Sequence, residues 1–237
     1  MRYNGKKTAI VTNCILIALA FTIFAVGFIP ERIIPIYGGA TETPIYYGNR
    51  EHKNVSIMVN VYENAEIVKK MADEFNAHGA KATFFVGGCW ADDNGETLKY
   101  LVSAGHEIAN HGYFHKDHKK LDYGANVQEI NSCGVVAEAL CGVKPELFAP
   151  PSGSFGNDTL KAAADLGYKV IMWSKDTIDW RDKDESVIYG RAVKKPANGD
   201  LILMHPKEHS LKALPKILEF YISSGYNIVT VSDNIAV

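Results

Sequence analysis

Short apolar runs alternate with amphipathic segments along residues 54–237, and this alternation constrains the fold more than any other feature of the chain. Val55 to Val61 is typical of a buried strand, and Ala65 to His78 has the spacing of a helix that buries one face. The same succession continues to the end of the chain. Strict alternation of strands and helices indicates a parallel sheet covered by helices. We therefore predict an α/β fold with about seven parallel strands, open or closed into a barrel.

Polar and ionisable side chains collect just after the predicted strands. In a β/α barrel the residues that follow the strands meet at one mouth of the molecule, where catalytic side chains are found. The sequence therefore predicts a functional site at that mouth. The segments that follow the strands are Asn60–Glu63, His111–His115, Pro150–Gly153, Ser174–Trp180 and His205.

The N-terminus carries basic residues followed by an almost unbroken apolar run from Thr8 to Ile29. At about 1.5 Å rise per residue this run could span a bilayer, with the rest of the chain outside the cell. A cleaved signal peptide is the alternative, although its apolar core is normally shorter. We predict a membrane anchor over 1–30, a linker over 31–53 and one domain over 54–237, and hence a single-pass location in the cell membrane.

Composition and charge exclude several classes of partner. The chain has 25 basic and 27 acidic side chains, a formal net charge of −2, whereas proteins that hold nucleic acid by its phosphates usually carry a basic surplus. No glycine-rich phosphate loop opens a helix. We therefore expect neither nucleic acid nor nucleotide as a partner. The four cysteines lack the spacing of a zinc site and are expected to be free thiols.

His111 and His115 are candidate metal ligands. Residues four apart on a helix lie on one face about 6 Å apart, within reach of one metal ion, and neutral imidazole suits zinc. The alternative is an exposed polar loop, because Lys116, Asp117 and His118 follow directly.

Two further segments carry groups suited to proton transfer. Asp176 and Asp179 follow a predicted buried strand, with Trp180 next to them, and an acid in such a place can orient a histidine. A helix cap beside a core tryptophan is the alternative. His205 ends an apolar strand and could donate a proton to a leaving group, although a structural role is also open.

At these residues the chain resembles the polysaccharide deacetylases, carbohydrate esterase family 4, whose domain is also called the NodB homology domain. The resemblance covers roughly residues 54–237 and rests on several motifs in the right order. It implies a distorted (β/α) barrel, a zinc-like divalent metal and the removal of N-acetyl groups from a sugar polymer. The motifs are Lys81–Val86, His106–His111 with His115, Asp176–Trp180 and Leu203–His205.

The resemblance also implies a role for each matched residue. His111 and His115 would hold the metal, and His205, oriented by Asp176, would protonate the leaving amine. The acetyl methyl group would lie in a small pocket. The residues expected to bind the substrate there are Trp180, Leu203, Pro151 and Asn60.

The chain departs from the family pattern at its first and third motifs. The first motif normally has two adjacent aspartates, the general base and a metal ligand, but Asn60 and Val61 stand there. Ala149 replaces the arginine that normally holds the base. These losses are mutually consistent, because an arginine has nothing to pair with once the aspartate is gone. They indicate a remodelled site.

Glu63 could compensate for both missing carboxylates, as base and as third metal ligand, because it lies three residues beyond Asn60. The alternative is a solvated acid in the first turn of a helix, where the helix dipole favours it. Asp117 and His118 are further ligand candidates.

Two hypotheses remain open at this point. The first is a membrane-anchored, metal-dependent deacetylase of peptidoglycan or a similar N-acetylated glycan, with an altered base. The alternative is a catalytically inactive relative that binds cell-wall glycan or a protein partner. The replacements at Asn60, Val61 and Ala149 favour the second. The residues that favour the first are His111, His115, Asp176, Asp179, Trp180 and His205.

Overall fold

The structure, a computed structural model, describes residues 13–17 and 43–236. Short strands and longer helices alternate along it, as the hydrophobic pattern predicts. The strands within these residues are β1 (Asn54–Val61), β2 (Thr83–Val86), β3 (Glu107–Asn110), β4 (Leu147–Phe148), β5 (Lys169–Val170), β6 (Lys175–Asp176), β7 (Asp200–Met204) and β8 (Asn227–Ile228). The helices are α1 (Ala65–Ala77), α2 (Gly88–Asp93), α3 (Gly95–Ser103), α4 (Tyr123–Cys141), α5 (Asn157–Asp165), α6 (Glu185–Ala192), α7 (Glu208–Ser223) and α8 (Val231–Ile235).

All of these strands pair in parallel, in the order β5-β4-β3-β2-β1-β7-β6, with β8 beside the first residues of β1. One continuous segment joins the two edges, because Lys169–Val170 pairs with β4 and Lys175–Asp176 pairs with β7. The sheet therefore curls into a half-barrel, consistent with the predicted distorted (β/α) barrel. Ile45 adds to this edge by donating its N–H to the oxygen of Val170 at 2.8 Å.

The side chains of β1 alternate between two cores. Ile57 and Val61 pack in the larger core, between the sheet and helices that include α1 and α7. Met58 packs with Leu203 in a smaller core inside the curled sheet. Because successive strand residues face opposite sides, Asn60 shares the inner face with Met58 and reaches the mouth of the half-barrel. The strand period thus determines which side chain of the first motif enters the site.

The structure differs from the predicted elements at the end of the chain. A strand is predicted over Tyr226–Val231, but only Asn227–Ile228 pairs with the sheet before α8 begins. The hydroxyl oxygen of Thr230 accepts the N–H of Asp233 at 3.2 Å and caps that helix. A side-chain cap of this kind lets a β-branched sequence start a helix.

The last part of the predicted linker, 31–53, belongs to the domain. Besides the contact of Ile45 with the sheet, the N–H of Asn49 donates to the oxygen of Asn234 at 2.7 Å. Only the earlier part of that stretch is left as a predicted linker. The composition of residues 31–53 suggested a tether. Backbone hydrogen bonds to residues far along the chain instead hold the end of this stretch against the domain.

Most of the predicted membrane segment, Thr8 to Ile29, lies outside the described residues. Residues 13–17 are helical and exposed. Within the described ranges, no helix combines the length and apolar character needed to cross a bilayer. The anchor and the membrane location therefore stay predictions.

We expect acid to destabilise the fold through His106, which is buried as a neutral ring. Its Nδ1 accepts the N–H of Ala82 at 3.2 Å, so its Nε2 carries the proton, donated to the oxygen of Ala72 at 3.2 Å. Burial lowers the pKa of His106 from 6.5 to about 4. The unfolded chain therefore binds a proton first, and about 3 kcal/mol of stability should be lost between pH 6.5 and 4.

Urea unfolding at several pH values tests this expectation. The slope of unfolding free energy against pH should flatten in His106→Gln and stay unchanged in the exposed His52→Gln. An unchanged slope in His106→Gln would show that other groups cause the acid sensitivity.

Candidate functional site

A cavity of about 610 Å³ opens at the carboxyl ends of the strands. Its walls come from loops that are far apart in the chain and meet because parallel strands end at one edge. His111, His115 and His205 all line it, as the positions after the predicted strands suggest. The lining residues are Asn60, Tyr62, Glu63, His111, His115, Ser152, Trp173, Asp176, Trp180, Leu203, His205, Pro206 and Lys207.

His111 is held as a neutral ring at the base of the cavity. It is 2% exposed, and its Nδ1–H donates to the oxygen of Ala149 at 2.8 Å. A carbonyl oxygen can only accept, so Nε2 is left as the unprotonated nitrogen. Burial, together with the nearby His115, lowers the pKa of His111 to about 3. The ring is therefore neutral and able to bind a metal ion or accept a hydrogen bond at neutral pH.

The two histidine rings meet for a reason other than the predicted one. Their centroids are 5.1 Å apart, yet the segment that joins them is a loop and not a helix. The backbone reverses through positive φ angles of 72° at Gly112 and 55° at His115. A Cβ on Gly112 would lie 2.9 Å from Nε2 of His118, so glycine is required there. The prediction of a shared helical face is wrong, although the proximity that it implied is present.

The donor set does not fit a catalytic zinc site, which uses three protein ligands. Val61 is fully buried between the sheet and the helices, and cannot ligate in any case. Glu63, offered as the replacement, forms an ion pair with Lys207. Across residues 13–17 and 43–236, no three His, Cys, Asp or Glu side chains lie close enough together to hold a metal. The pair His111 and His115 thus stands alone.

Of the other two candidate ligands, Asp117 is engaged elsewhere and His118 is buried away from the cavity. Asp117 accepts the hydroxyl of Ser154 at 2.5 Å and pairs with Lys120 at 2.9 Å. His118 is fully buried, and its Nδ1 is 2.8 Å from Oδ1 of Asn126. Neither of them lines the cavity.

His205 is oriented by Asp179 and not by Asp176. The Nδ1–H of His205 donates to Oδ1 of Asp179 at 2.7 Å, and its backbone N–H donates to Oδ2 at 2.8 Å. The hydroxyl of Ser210 donates to the same Oδ2 at 2.6 Å. Burial alone would raise the pKa of Asp179, but these hydrogen bonds lower it below its usual value. The arrangement leaves Nε2 of His205 as the nitrogen that can act in the cavity.

Asp176 lines the cavity but its side chain serves the turn that follows it. Its Oδ1 accepts the N–H of Ile178 at 2.8 Å. The prediction that it orients His205 is therefore wrong, because this local hydrogen bond turns the chain and carries Asp179 under the ring. The spacing of the two aspartates was visible in the sequence. The conformation of the turn determines which of them pairs with His205.

The predicted substrate-binding residues divide between the cavity and its surroundings. Trp180, 58% exposed, and the buried Leu203 line the cavity as apolar walls. Pro151 is buried and does not line the cavity, whereas its neighbour Ser152 does. Sequence patterns did not single out Tyr62, whose ring centroid is 5.1 Å from that of His115. Its position directly after β1 was the available signal.

Asn60 stands at the centre of the altered motif. Its side chain is buried, 4% exposed, and lines the cavity. Its Oδ1 has no hydrogen-bond partner within the part of the chain that the structure describes. The side chain of Ala149 is fully buried and brings no charge to the site.

Strained backbone surrounds this cavity. Asn64, His115, Ser152 and Ile178 have φ angles of 55–56°, and each lies in or next to a loop that lines it. Such conformations cost about 1–3 kcal/mol each and persist where the surrounding structure holds them. Their concentration at one mouth indicates that the shape of the cavity is maintained.

Known proteins are similar to this chain. Residues 47–171 match the family model described as polysaccharide deacetylase. The uncharacterized protein YlxY of Bacillus subtilis is 37% identical over 80% of this chain and 60% of its own length. A peptidoglycan-N-acetylglucosamine deacetylase of Bacillus cereus is 30% identical over 70% of this chain and 62% of its own length. The chain thus spans about three fifths of the length of these curated relatives.

One solved structure is similar to this chain in both fold and sequence. It is described as a CE4 family pseudoenzyme from Bacillus anthracis, with a TM-score of 0.80 and 31% identity, covering 83% of this chain and 70% of that one. A mutant of that protein is described as having restored enzymatic activity.

Proposed function

Because this chain belongs to the polysaccharide deacetylase family, we propose that its cavity binds the N-acetyl groups of a cell-wall glycan without hydrolysing them. The observation that supports this most directly is Asn60, which stands where the family carries its general base. An amide has no basic lone pair with which to take a proton from water. The carboxylate of Glu63 is ion-paired with Lys207.

The residues that remain are suited to binding an acetamido group. Trp180 and Leu203 offer apolar walls for the methyl group, and Nε2 of His205 can hydrogen-bond a polar atom of the sugar. The neutral ring of His111 offers a second nitrogen. A few polar groups between apolar walls are typical of small-ligand sites.

A hydrolase with an altered base is the second candidate. It is favoured by the intact hydrogen bonds among His205, Asp179 and Ser210, which are suited to protonating a leaving amine. Glu63 and Asp176 would be its candidate bases, since both line the cavity. Two imidazoles fall short of a catalytic zinc site, so we derive no step that uses a metal ion.

Binding and acetate release by the full chain separate the two candidates. We expect the protein to sediment with N-acetylated peptidoglycan and to release no acetate, with or without added zinc. Acetate release that disappears in His205→Ala would contradict the binding proposal and establish the hydrolase, with Glu63→Gln as the test of its base. Failure to sediment would contradict the proposed glycan partner.

The proposed location follows from the apolar run over residues 8–29. An anchor there would hold the domain on the outer face of the membrane, beside the cell wall. Fractionation of cells that express the full chain, followed by protease treatment of intact spheroplasts, tests this. Recovery of the protein in the cytosol would contradict the location.

A further inference from the structure

A second pocket, of about 460 Å³, lies between α4 and the loop that carries His111 and His115. The two histidines line the cavity, whereas Tyr113, Phe114 and Lys116 of the same loop line this side pocket. One short loop therefore serves two pockets. The residues that line the side pocket are Tyr113, Phe114, Lys116, Gln128, Glu129, Asn131, Ser132, Val135 and Val136.

Large apolar side chains are exposed at the side pocket. Phe114 and Val135 are 56% and 55% exposed, and both line it together with Tyr113 and Val136. Apolar residues that are exposed singly are ordinary on a protein surface. Several of them around one pocket are typical of an interaction site.

Glu129 gives the side pocket a fixed shape. Its side chain is 4% exposed, and its Oε2 accepts the N–H of Tyr113 at 3.1 Å and that of Phe114 at 2.8 Å. Its Oε1 is 2.9 Å from Nζ of Lys116. One buried carboxylate thus ties the loop to α4 by three contacts, so the pocket is preformed. Lys116 keeps further N–H donors for a ligand, because an ammonium group has more than one.

The α4 wall of the side pocket offers neutral polar groups beside its apolar ones. Gln128 and Asn131 are exposed, and Ser132 is partly exposed. Their amides and hydroxyl supply hydrogen-bond donors and acceptors without charge. The solvent-facing side of a helix usually carries charged residues. Neutral amides next to Val135 are instead suited to a ligand that has peptide groups and small apolar side chains.

We propose that the side pocket binds the peptide branch of peptidoglycan, so that the protein prefers glycan that carries its peptides over bare glycan. This inference rests on the proposed function, in which the cavity holds the sugar chain. The peptide of peptidoglycan is short, rich in alanine and carries carboxylates. Its methyl groups can lie against Phe114 and Val135. Its amide groups can pair with Gln128 and Asn131, and a carboxylate can pair with the ammonium group of Lys116.

The two pockets are close enough for one branched ligand to occupy both. Tyr62, which lines the cavity, donates its hydroxyl hydrogen to the backbone oxygen of Tyr113, which lines the side pocket, at 3.4 Å. An extended peptide of about four residues reaches roughly 14 Å. The peptide of a sugar held in the cavity can therefore cross the loop and enter the side pocket.

Sedimentation of the full chain with two forms of one peptidoglycan preparation tests this inference. One form is intact, and an amidase has removed the peptides from the other. We expect the unmodified protein to bind the intact form at least about fivefold more tightly, the effect of a small apolar contact. Phe114→Ala and Val135→Glu should each remove this preference and leave binding to the stripped form unchanged.

Tyr46→Ala and Ile222→Glu are the matched controls and should keep the preference. Both residues are exposed, and neither lines the cavity or the side pocket. Equal binding of the two forms by the unmodified protein would overturn the inference while leaving the proposed function intact. So would a preference that persists in both Phe114→Ala and Val135→Glu. Failure of the unmodified protein to bind either form would instead contradict the proposed function.

Discussion

Acetate release from N-acetylated glycan is expected to appear when Asn60 is replaced by aspartate. The introduced carboxylate would line the same cavity as His111 and His205, and could take a proton from water where the amide cannot. General-base groups are typically worth a factor of about 10²–10⁴ in rate. Asn60→Asp should therefore exceed Asn60→Leu by that factor, measured as acetate released with added zinc.

The pH dependence of this variant follows from the surroundings of position 60. The site is buried, and Ala149 provides no positive charge. Burial disfavours the charged form, so the pKa of the introduced carboxyl should lie above its ordinary value of about 4. A base acts when it is deprotonated, so acetate release should rise with pH through that raised pKa.

The Asn60→Asp variant should not also carry Val61→Asp, because Val61 is fully buried between the sheet and the helices. A carboxylate there would be unpaired and destabilising.

His205→Ala in the Asn60→Asp background should abolish the gained activity. A folded, glycan-binding Asn60→Asp protein that releases no acetate between pH 5 and 9 would contradict the expectation.

Asp179→Ala is expected to destabilise the fold far more than Asp176→Ala. The Asp179 carboxylate accepts two hydrogen bonds from His205 and one from Ser210. Its removal would leave these donors buried and unpaired, at a cost of about 3–5 kcal/mol. Asp176→Ala loses the hydrogen bond from Ile178, worth about 1 kcal/mol.

Urea unfolding of the two variants at pH 7 measures the difference, and the shared substitution makes them a matched pair. Equal costs would show that the carboxylate of Asp179 is not what holds His205. Glycan binding gives a second readout, because a released His205 ring should weaken binding in Asp179→Ala. Refolding yield identifies a variant that does not fold at all, which would itself agree with the larger cost.

Much of the framework could be predicted from local patterns. The apolar run of β1 and the amphipathic spacing of α1 reveal their elements, because a strand repeats every two residues and a helix every 3.6. The placement of Asn60, His111 and His205 at one mouth follows from parallel pairing alone. α2 was not predicted, and the last strand was predicted too long.

The contacts between side chains at this mouth were harder to predict from the sequence. His111 and His115 come together through a loop with positive φ angles, not through the helix that their spacing suggested. Glu63 is committed to Lys207, which is 144 positions away in the chain. A pattern of neighbouring residues cannot predict a contact between residues so far apart in the chain.

The sequence by itself determined the alternation of strands and helices, the end of the sheet that carries the site, and the neutral residues Asn60 and Val61 in its first motif. Only the tertiary structure decided that Asp179 holds His205. It also decided that, among the described residues, the two imidazoles have no third ligand and Oδ1 of Asn60 has no hydrogen-bond partner. The physical reason is one of range. Periodicity and residue chemistry are written in neighbouring positions, whereas a hydrogen-bond partner depends on how each loop turns and on which distant loop packs against it.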